Sequence, residues 1–208
     1  MATILWILLA YGSYLIGWLL QLQDPDPTLI DTLQGKRCKW QHLIVLAYLL
    51  LFKGAELSQG EPVGVMQTTR AYMIGSLLLA AWIDHYIQLI PDMVYVPGIA
   101  GGILWLIYYN PGADIVINLL VFVVIQMVIF SRLYGGSDCI AYCICALYLA
   151  GTGGGLLEDL LFMLLTVGIE AVVQIVHHNL DFRHGRLIRP VALIPYMAVS
   201  MLLWILLT

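Results

Sequence analysis

Eight apolar runs constrain this chain more than any other feature, because most of them are long enough to cross a bilayer as helices. They occupy residues 3–22, 42–52, 71–90, 93–109, 112–131, 139–157, 159–177 and 190–207. A helix needs about 20 apolar residues to cross the hydrocarbon core, whereas barrel strands would show short alternating segments. The run at 42–52 is shorter and would need its flanks or a tilt to cross. With 62% of 208 residues apolar and 11% charged, no globular core could hide so much apolar surface. The expected fold is all-α: one polytopic transmembrane helical bundle of about eight spans over residues 1–208, with no internal repeat and no second domain. Membrane lipid is the expected surrounding and no nucleic-acid partner is expected; a net charge of −4 is small and says nothing about partners.

Orientation follows from the basic residues, since cytoplasmic loops hold the excess of Lys and Arg. Residues 23–41 form a short polar loop with Asp24-Pro25-Asp26-Pro27 and the cluster Lys36, Arg37 and Lys39. If that loop is cytoplasmic and eight spans are correct, Arg132, Arg183, Arg186 and Arg189 also fall inside, against only Lys53 and Arg70 outside. The amino terminus is then expected outside. The first run has no basic flank before it and no small-residue cleavage site after it, which argues against a removable signal peptide.

Two carboxylates stand at the ends of apolar runs. Asp84 lies in Trp82-Ile83-Asp84-His85-Tyr86-Ile87-Gln88-Leu89-Ile90-Pro91-Asp92, where a proline must end or kink the helix. Asp138 closes the turn Tyr134-Gly135-Gly136-Ser137-Asp138, where Asp favours a helix start. Two runs, 93–109 and 112–131, separate them, so both acids are expected on one face of the membrane, the cytoplasmic one. A carboxylate in or beside the hydrocarbon is expensive and marks a functional candidate. Capping accounts for Asp138 taken alone; Asp84 lies well before the proline, and capping does not explain it. Asp92 follows Pro91 and is expected to cap the fourth span.

Ile83-Asp84 with Gln88-Leu89-Ile90-Pro91-Asp92 resembles the first aspartate motif of the type IV prepilin peptidases, and Gly135-Gly136-Ser137-Asp138 resembles their Gly-x-Gly-Asp turn. Ser137 stands where the second glycine is usual, and Ile140 where a lysine is frequent. Pro195-Tyr196-Met197-Ala198 resembles a stretch of the family's last span. The likeness runs from the third span onward. It implies a multi-pass aspartic endopeptidase of a bacterial cell membrane, with Asp84 and Asp138 as the catalytic pair at the cytoplasmic face. Its substrates would be type IV prepilin or pseudopilin precursors, in pilus assembly or protein secretion. No cofactor and no metal is implied. Gly135 and Gly136 would let the backbone turn tightly and admit an extended substrate strand; Ser137 would narrow the site, and Pro91 and Asp92 would shape it. Larger members carry paired-cysteine motifs in the first loop, associated with zinc and with methylation. Here that loop holds only Cys38, so methyltransferase activity is not expected. The reading from a different class is a non-catalytic membrane protein: a transporter, an assembly factor or a lapsed peptidase.

Other signals are weaker. Cys139, Cys143 and Cys145 have no nearby His or Cys pair and are expected to pack as small buried residues rather than hold a metal. Ser137 with His177 or His178 does not make a serine-nucleophile site, because nothing in the spacing brings them together. His177, His178, Arg183, His184, Arg186 and Arg189 form a basic cytoplasmic segment. Gly151-Thr152-Gly153-Gly154-Gly155 lacks the lysine of a phosphate loop and is expected as a turn. Glu170 and Asp114 need partners in apolar surroundings; Glu170 is a candidate for tuning the site, with pairing inside the bundle to Gln174, one turn away, the favoured reading.

Overall fold

The computed structural model describes residues 2–21, 40–60, 65–88, 90–177, 180–181, 186–187 and 191–207. The loop residues 23–39, with Lys36, Arg37, Cys38 and Lys39, lie outside the described residues, as do His178, Arg183, His184 and Arg189.

Each apolar run becomes a helix. In chain order they are α1 (Ala2–Gln21), α2 (Gln41–Ser58), α3 (Val65–Ile87), α4 (Val96–Tyr109), α5 (Ala113–Val124), α6 (Gly136–Ala150), α7 (Leu156–Val176) and α8 (Ile194–Leu207). A 3-10 turn, Asp92–Tyr95, leads into α4, and α5 continues through a π turn, Ile125–Ile129. Leu180–Asp181 and Arg186–Leu187 make a two-residue antiparallel ladder. The fold is otherwise all-helical.

Among the described residues, four helical stretches have the length and apolarity to cross a membrane: Ala2–Leu20, Asp92–Tyr109, Ala113–Arg132 and Leu156–Val176. The others fall short for two different reasons. α6 and α8 are apolar but have 15 and 14 residues, about 22 and 21 Å at the helical rise, against a core of about 30 Å. The expected sixth run reached residue 157, but the chain turns at Gly151–Gly155 instead, with Gly153 left-handed at φ +87°. α2 and α3 are long enough but carry buried Lys53, Glu56, Arg70 and Asp84.

The distribution of polarity is that of a membrane bundle. Large apolar side chains on α1, α4, α5 and α7 face outward, while charged and polar groups are enclosed. α3 is the central post, packed against α1, α4, α6 and α8. Small residues make the close approaches, as expected where lipid gives helices no hydrophobic reason to associate. A Cβ on Gly75 of α3 would collide with the Ala10 carbonyl of α1 and sit 2.8 Å from Ser13 Cβ. A Cβ on Gly101 of α4 would sit 2.7 Å from Tyr72 Cβ. Two hydroxyls add cross-helix bonds: Ser13 Oγ donates to Tyr72 O at 2.8 Å and Ser76 Oγ to Val94 O at 2.7 Å.

Lys53 and Arg70, expected in an external polar stretch, are buried, Lys53 towards the end of α2 and Arg70 near the start of α3. Lys53 Nζ pairs with Glu56 Oε2 at 2.6 Å, Tyr148 OH donates to Glu56 Oε1, and the Arg70 guanidinium stacks 4.0 Å over the Tyr148 ring. Pairing is what lets such charges leave water, and removing one partner of a buried pair costs about 3–5 kcal/mol. This polar knot joins α2, α3 and α6 at the end of the bundle where α3 begins.

Gly75→Ala is expected to lower the thermal midpoint of the detergent-solubilised protein by an amount worth about 1–3 kcal/mol, since the contact with Ala10 cannot give without moving α1. Gly12→Ala, where nothing lies within 4 Å of the added methyl, should leave the midpoint unchanged or raise it.

Candidate active site

Asp84 occupies the last turn of α3 and is 6% exposed. A buried carboxylate needs donors. The first helical amides of α8 supply them: Ile194 N–H donates to Asp84 Oδ2 at 3.0 Å, and the Leu193 amide is also directed at the carboxylate. The stretch Val191-Ala192-Leu193-Ile194 has no side chain able to cap its own helix, and Pro195 contributes no amide. Asp84 therefore caps α8 from another helix, with its negative charge at the positive end of the α8 dipole.

Beyond Asp84 the chain reverses sharply. Gln88 N–H still donates to Asp84 O at 3.1 Å, but Gln88 itself is left-handed at φ +57°, a conformation usually given to glycine. α3 thus ends at Ile87, four residues before the proline. Pro91 is extended, at φ −66° and ψ 140°, and buried, and the 3-10 turn follows. This brings Tyr95 under the second motif, where its hydroxyl donates to Ser137 O at 2.9 Å.

Asp138 is the third residue of α6, with Gly135 as the N-cap residue. Its Oδ2 accepts the Gly135 N–H at 3.3 Å, which ties the turn to the first turn of the helix. Asp138 is half-buried, whereas Gly135 and Gly136 are exposed. Burial pushes its carboxyl above the ordinary carboxylate range, and the Gly135 amide pulls the other way.

The end of α3 and the start of α6 lie at the same end of the bundle, and the Asp84 and Asp138 carboxylates are within electrostatic reach of one another. The Tyr95 hydroxyl is within reach of both. Two acids separated by two helices are thus neighbours, each with one oxygen engaged by a backbone amide.

The other expected site residues fall differently. Asp92 is exposed in the 3-10 turn and makes no side-chain capping bond; Pro91 holds the cap position, so the expected cap on the fourth span is absent. Gly135 has φ −66° and ψ 155°, a conformation open to any residue, and a Cβ on Gly136 would meet nothing within 4 Å. Neither glycine is required by the turn; what their lack of side chains does is leave the rim beside Asp138 open. Ser137 is half-buried and serves through its carbonyl, as the acceptor for Tyr95. Glu170 lies within electrostatic reach of Asp138 and of Tyr196, and Gln174 donates to the Tyr196 hydroxyl at 3.2 Å. A third acid therefore lies near Asp138.

Tyr95 and the Ile194 amide were not legible as site groups from spacing. The one available signal was the α8 start, which has a proline and no residue able to cap it. Among the described residues no group of three or more His, Cys, Asp or Glu could hold a metal ion, and Cys139, Cys143 and Cys145 are buried free thiols. The chain matches no protein-family model, no curated protein and no solved structure.

Tyr95→Phe should strip the donor from the Ser137 carbonyl and lower the thermal midpoint by an amount worth about 1 kcal/mol. Tyr108→Phe, on a side chain 65% exposed, should leave it unchanged.

Proposed function

We propose that this protein is a membrane aspartic endopeptidase of the type IV prepilin peptidase kind, with Asp84 and Asp138 as its catalytic pair. The observation that carries this reading is the meeting of two acids, one from α3 and one from α6, at a single end of an apolar bundle. In the full reading the chain crosses a bacterial cell membrane about eight times, with the pair at the cytoplasmic face. Its substrates are prepilin or pseudopilin precursors, cut between a polar leader and the apolar segment that follows.

Peptide hydrolysis by paired acids needs one carboxyl protonated, to polarise the scissile carbonyl, and one ionised, to take a proton from the attacking water. Like charges in a poorly hydrated site push the two ionisations apart, so the pair shares one proton. The amides on Asp84 keep that carboxylate fixed in orientation. The Gly135–Gly136 rim leaves an extended peptide room beside Asp138. The Tyr95 hydroxyl holds the turn that carries Asp138, so the two acids keep their spacing without a bridging residue in the chain.

A second reading, a non-catalytic membrane protein, is favoured by one specific feature: both carboxylates are already engaged as caps, Asp84 on α8 and Asp138 on its own helix. A cap alone explains burial without chemistry.

Asparagine separates the two readings, because its amide oxygen can still accept the Ile194 or Gly135 N–H while its carboxyl chemistry is gone. Asp84→Asn and Asp138→Asn are each expected to abolish cleavage of a pseudopilin precursor in membranes, with insertion and thermal midpoint close to the parent. Either single variant that still cleaves sinks the pair. Ser137→Gly should raise the rate if the serine side chain narrows the site; absence of cleavage by both the parent and this variant would favour the non-catalytic reading.

A further inference from the structure

The inner face of α7 carries a polar stripe along most of its length. Asp159, Met163, Thr166, Glu170 and Gln174 recur at steps of four, three, four and four residues, which places them on one side of a helix. The exposed apolar residues of α7, including Leu161, Leu164 and Val172, lie on the other side. Asp159 is at the end of the bundle away from the acid pair, and Glu170, about 16 Å further along the helix, is within reach of Asp138.

α6 and α5 complete the seam. On α6, Asp138, Tyr142 and Cys145 share a side, and Asp159 is within electrostatic reach of Cys143 and Cys145. The Tyr142 hydroxyl lies close to Thr166 but makes no hydrogen bond of its own, and the Thr166 hydroxyl donates to Phe162 O at 3.0 Å. From α5 comes Gln126, fully buried, in the π turn Ile125–Ile129. That turn contains no glycine or proline to explain it, and such single-turn insertions re-aim side chains at functional positions.

Three buried polar atoms in this seam lack a hydrogen-bond partner: Asp159 Oδ1, Gln126 Oε1 and the Tyr142 hydroxyl oxygen. Asp159 is 3% exposed and Gln126 0%. Gln126 spends its amide N–H on Met163 Sδ at 2.9 Å, a weak acceptor one helical turn from Asp159, and keeps its carbonyl unpaired. Leaving a buried polar group unsatisfied is destabilising, and more so for a carboxylate. Ordered water is the ordinary remedy at a polar internal position. Structural water alone would account for one such atom. It does not account for a polar side chain at nearly every turn between the two ends of the bundle.

We propose that the seam between α5, α6 and α7 is a proton path, in which internal waters on Asp159 Oδ1 and Gln126 Oε1 connect through Thr166 and Tyr142 to Asp138. One proton enters at Asp159 from water at the far end. Thr166 turns its hydroxyl from Phe162 O towards Tyr142 as it takes a proton from water and passes its own on, Tyr142 does the same towards Asp138, and one proton leaves Asp138 to water at the near end. No electron moves and nothing is consumed; the driving force is the proton gradient or membrane potential. The path shares Asp138 with the proposed peptidase site, but Asp159, Gln126 and Thr166 lie outside that site, so blocking the seam there leaves cleavage to proceed.

The test is proton uptake by liposomes of phosphatidylethanolamine and phosphatidylglycerol containing the full chain and an internal pH dye, driven by a potassium diffusion potential. The parent protein is expected to acidify the lumen faster than protein-free liposomes. Gln126→Leu, close to isosteric, and Thr166→Val should each return the rate to the protein-free level while precursor cleavage stays at the parental rate. Asp159→Asn should do the same. Where it fails to insert, Gln126→Leu and Thr166→Val carry the comparison. A parent no faster than protein-free liposomes overturns the path, as does an undiminished rate in both Gln126→Leu and Thr166→Val.

Discussion

Lipid offers no hydrogen bonds, so each polar group that enters the bundle must find its partner inside it. The Asp84 carboxylate shows what this does to a fold. It is carried to the end of α3 inside the most crowded part of the molecule, and its donors come from the first amides of α8, 110 positions further along the chain. The bond solves two problems at once, an unpaired buried charge and an uncapped helix start. It also fixes α8 against α3. Removing the carboxylate would leave both halves of the arrangement unsatisfied.

The same rule organises the opposite end. Lys53, Glu56, Arg70 and Tyr148 form a closed group from three helices, and its members would be prohibitive singly in hydrocarbon. Between the two polar ends, α3 meets α1 and α4 through Gly75, Gly98 and Gly101, where backbone touches backbone or short side chains. Specific polar closures at the ends and small-residue contacts in the middle therefore do what hydrophobic burial does in a water-soluble core. The large apolar side chains are left to face lipid, as Ile107 and Leu164 do.

The helices were legible because apolar runs of that length have one economical solution, and all eight runs became helices. Their ends were less so. The sixth run continues to residue 157 in hydropathy, yet Gly151 to Gly155 turn the chain early, because backbone freedom outweighs apolarity there. α3 stops at Ile87 rather than at Pro91, through a left-handed Gln88 that no propensity would select. At the site, Asp84 and Asp138 stood out as acids in apolar settings, and their parity placed them on one face. Their immediate partners did not stand out. Ile194 contributes a backbone amide, which sequence spacing cannot mark, and Tyr95 reads as one aromatic among many. Asp92 looked like a cap because it follows a proline, but it is Pro91 that takes the cap position, with Asp92 left in solvent.

The two apolar helices with no flanking helical turn to lengthen them to a full crossing, α6 and α8, are the ones whose first turns hold the acid pair, one by its own side chain and one by the amides that Asp84 binds. At about 21–22 Å each, they are shorter than an average hydrocarbon core by roughly 8 Å. A bilayer meeting such a surface thins locally, because exposing lipid tails or burying polar ends costs more than the deformation. A neighbouring helix of ordinary length keeps its full apolar span of about 30 Å and so overhangs the thinned lipid beside the pair. Under the peptidase reading, that overhang is where a precursor passes from polar leader to apolar helix. The mismatch lifts the junction out of hydrocarbon and into reach of water and two carboxyls. The short helices would then act as part of the specificity, by setting the depth at which a peptide bond meets the acids. A soluble peptide of the same local sequence has no such depth and loses that term.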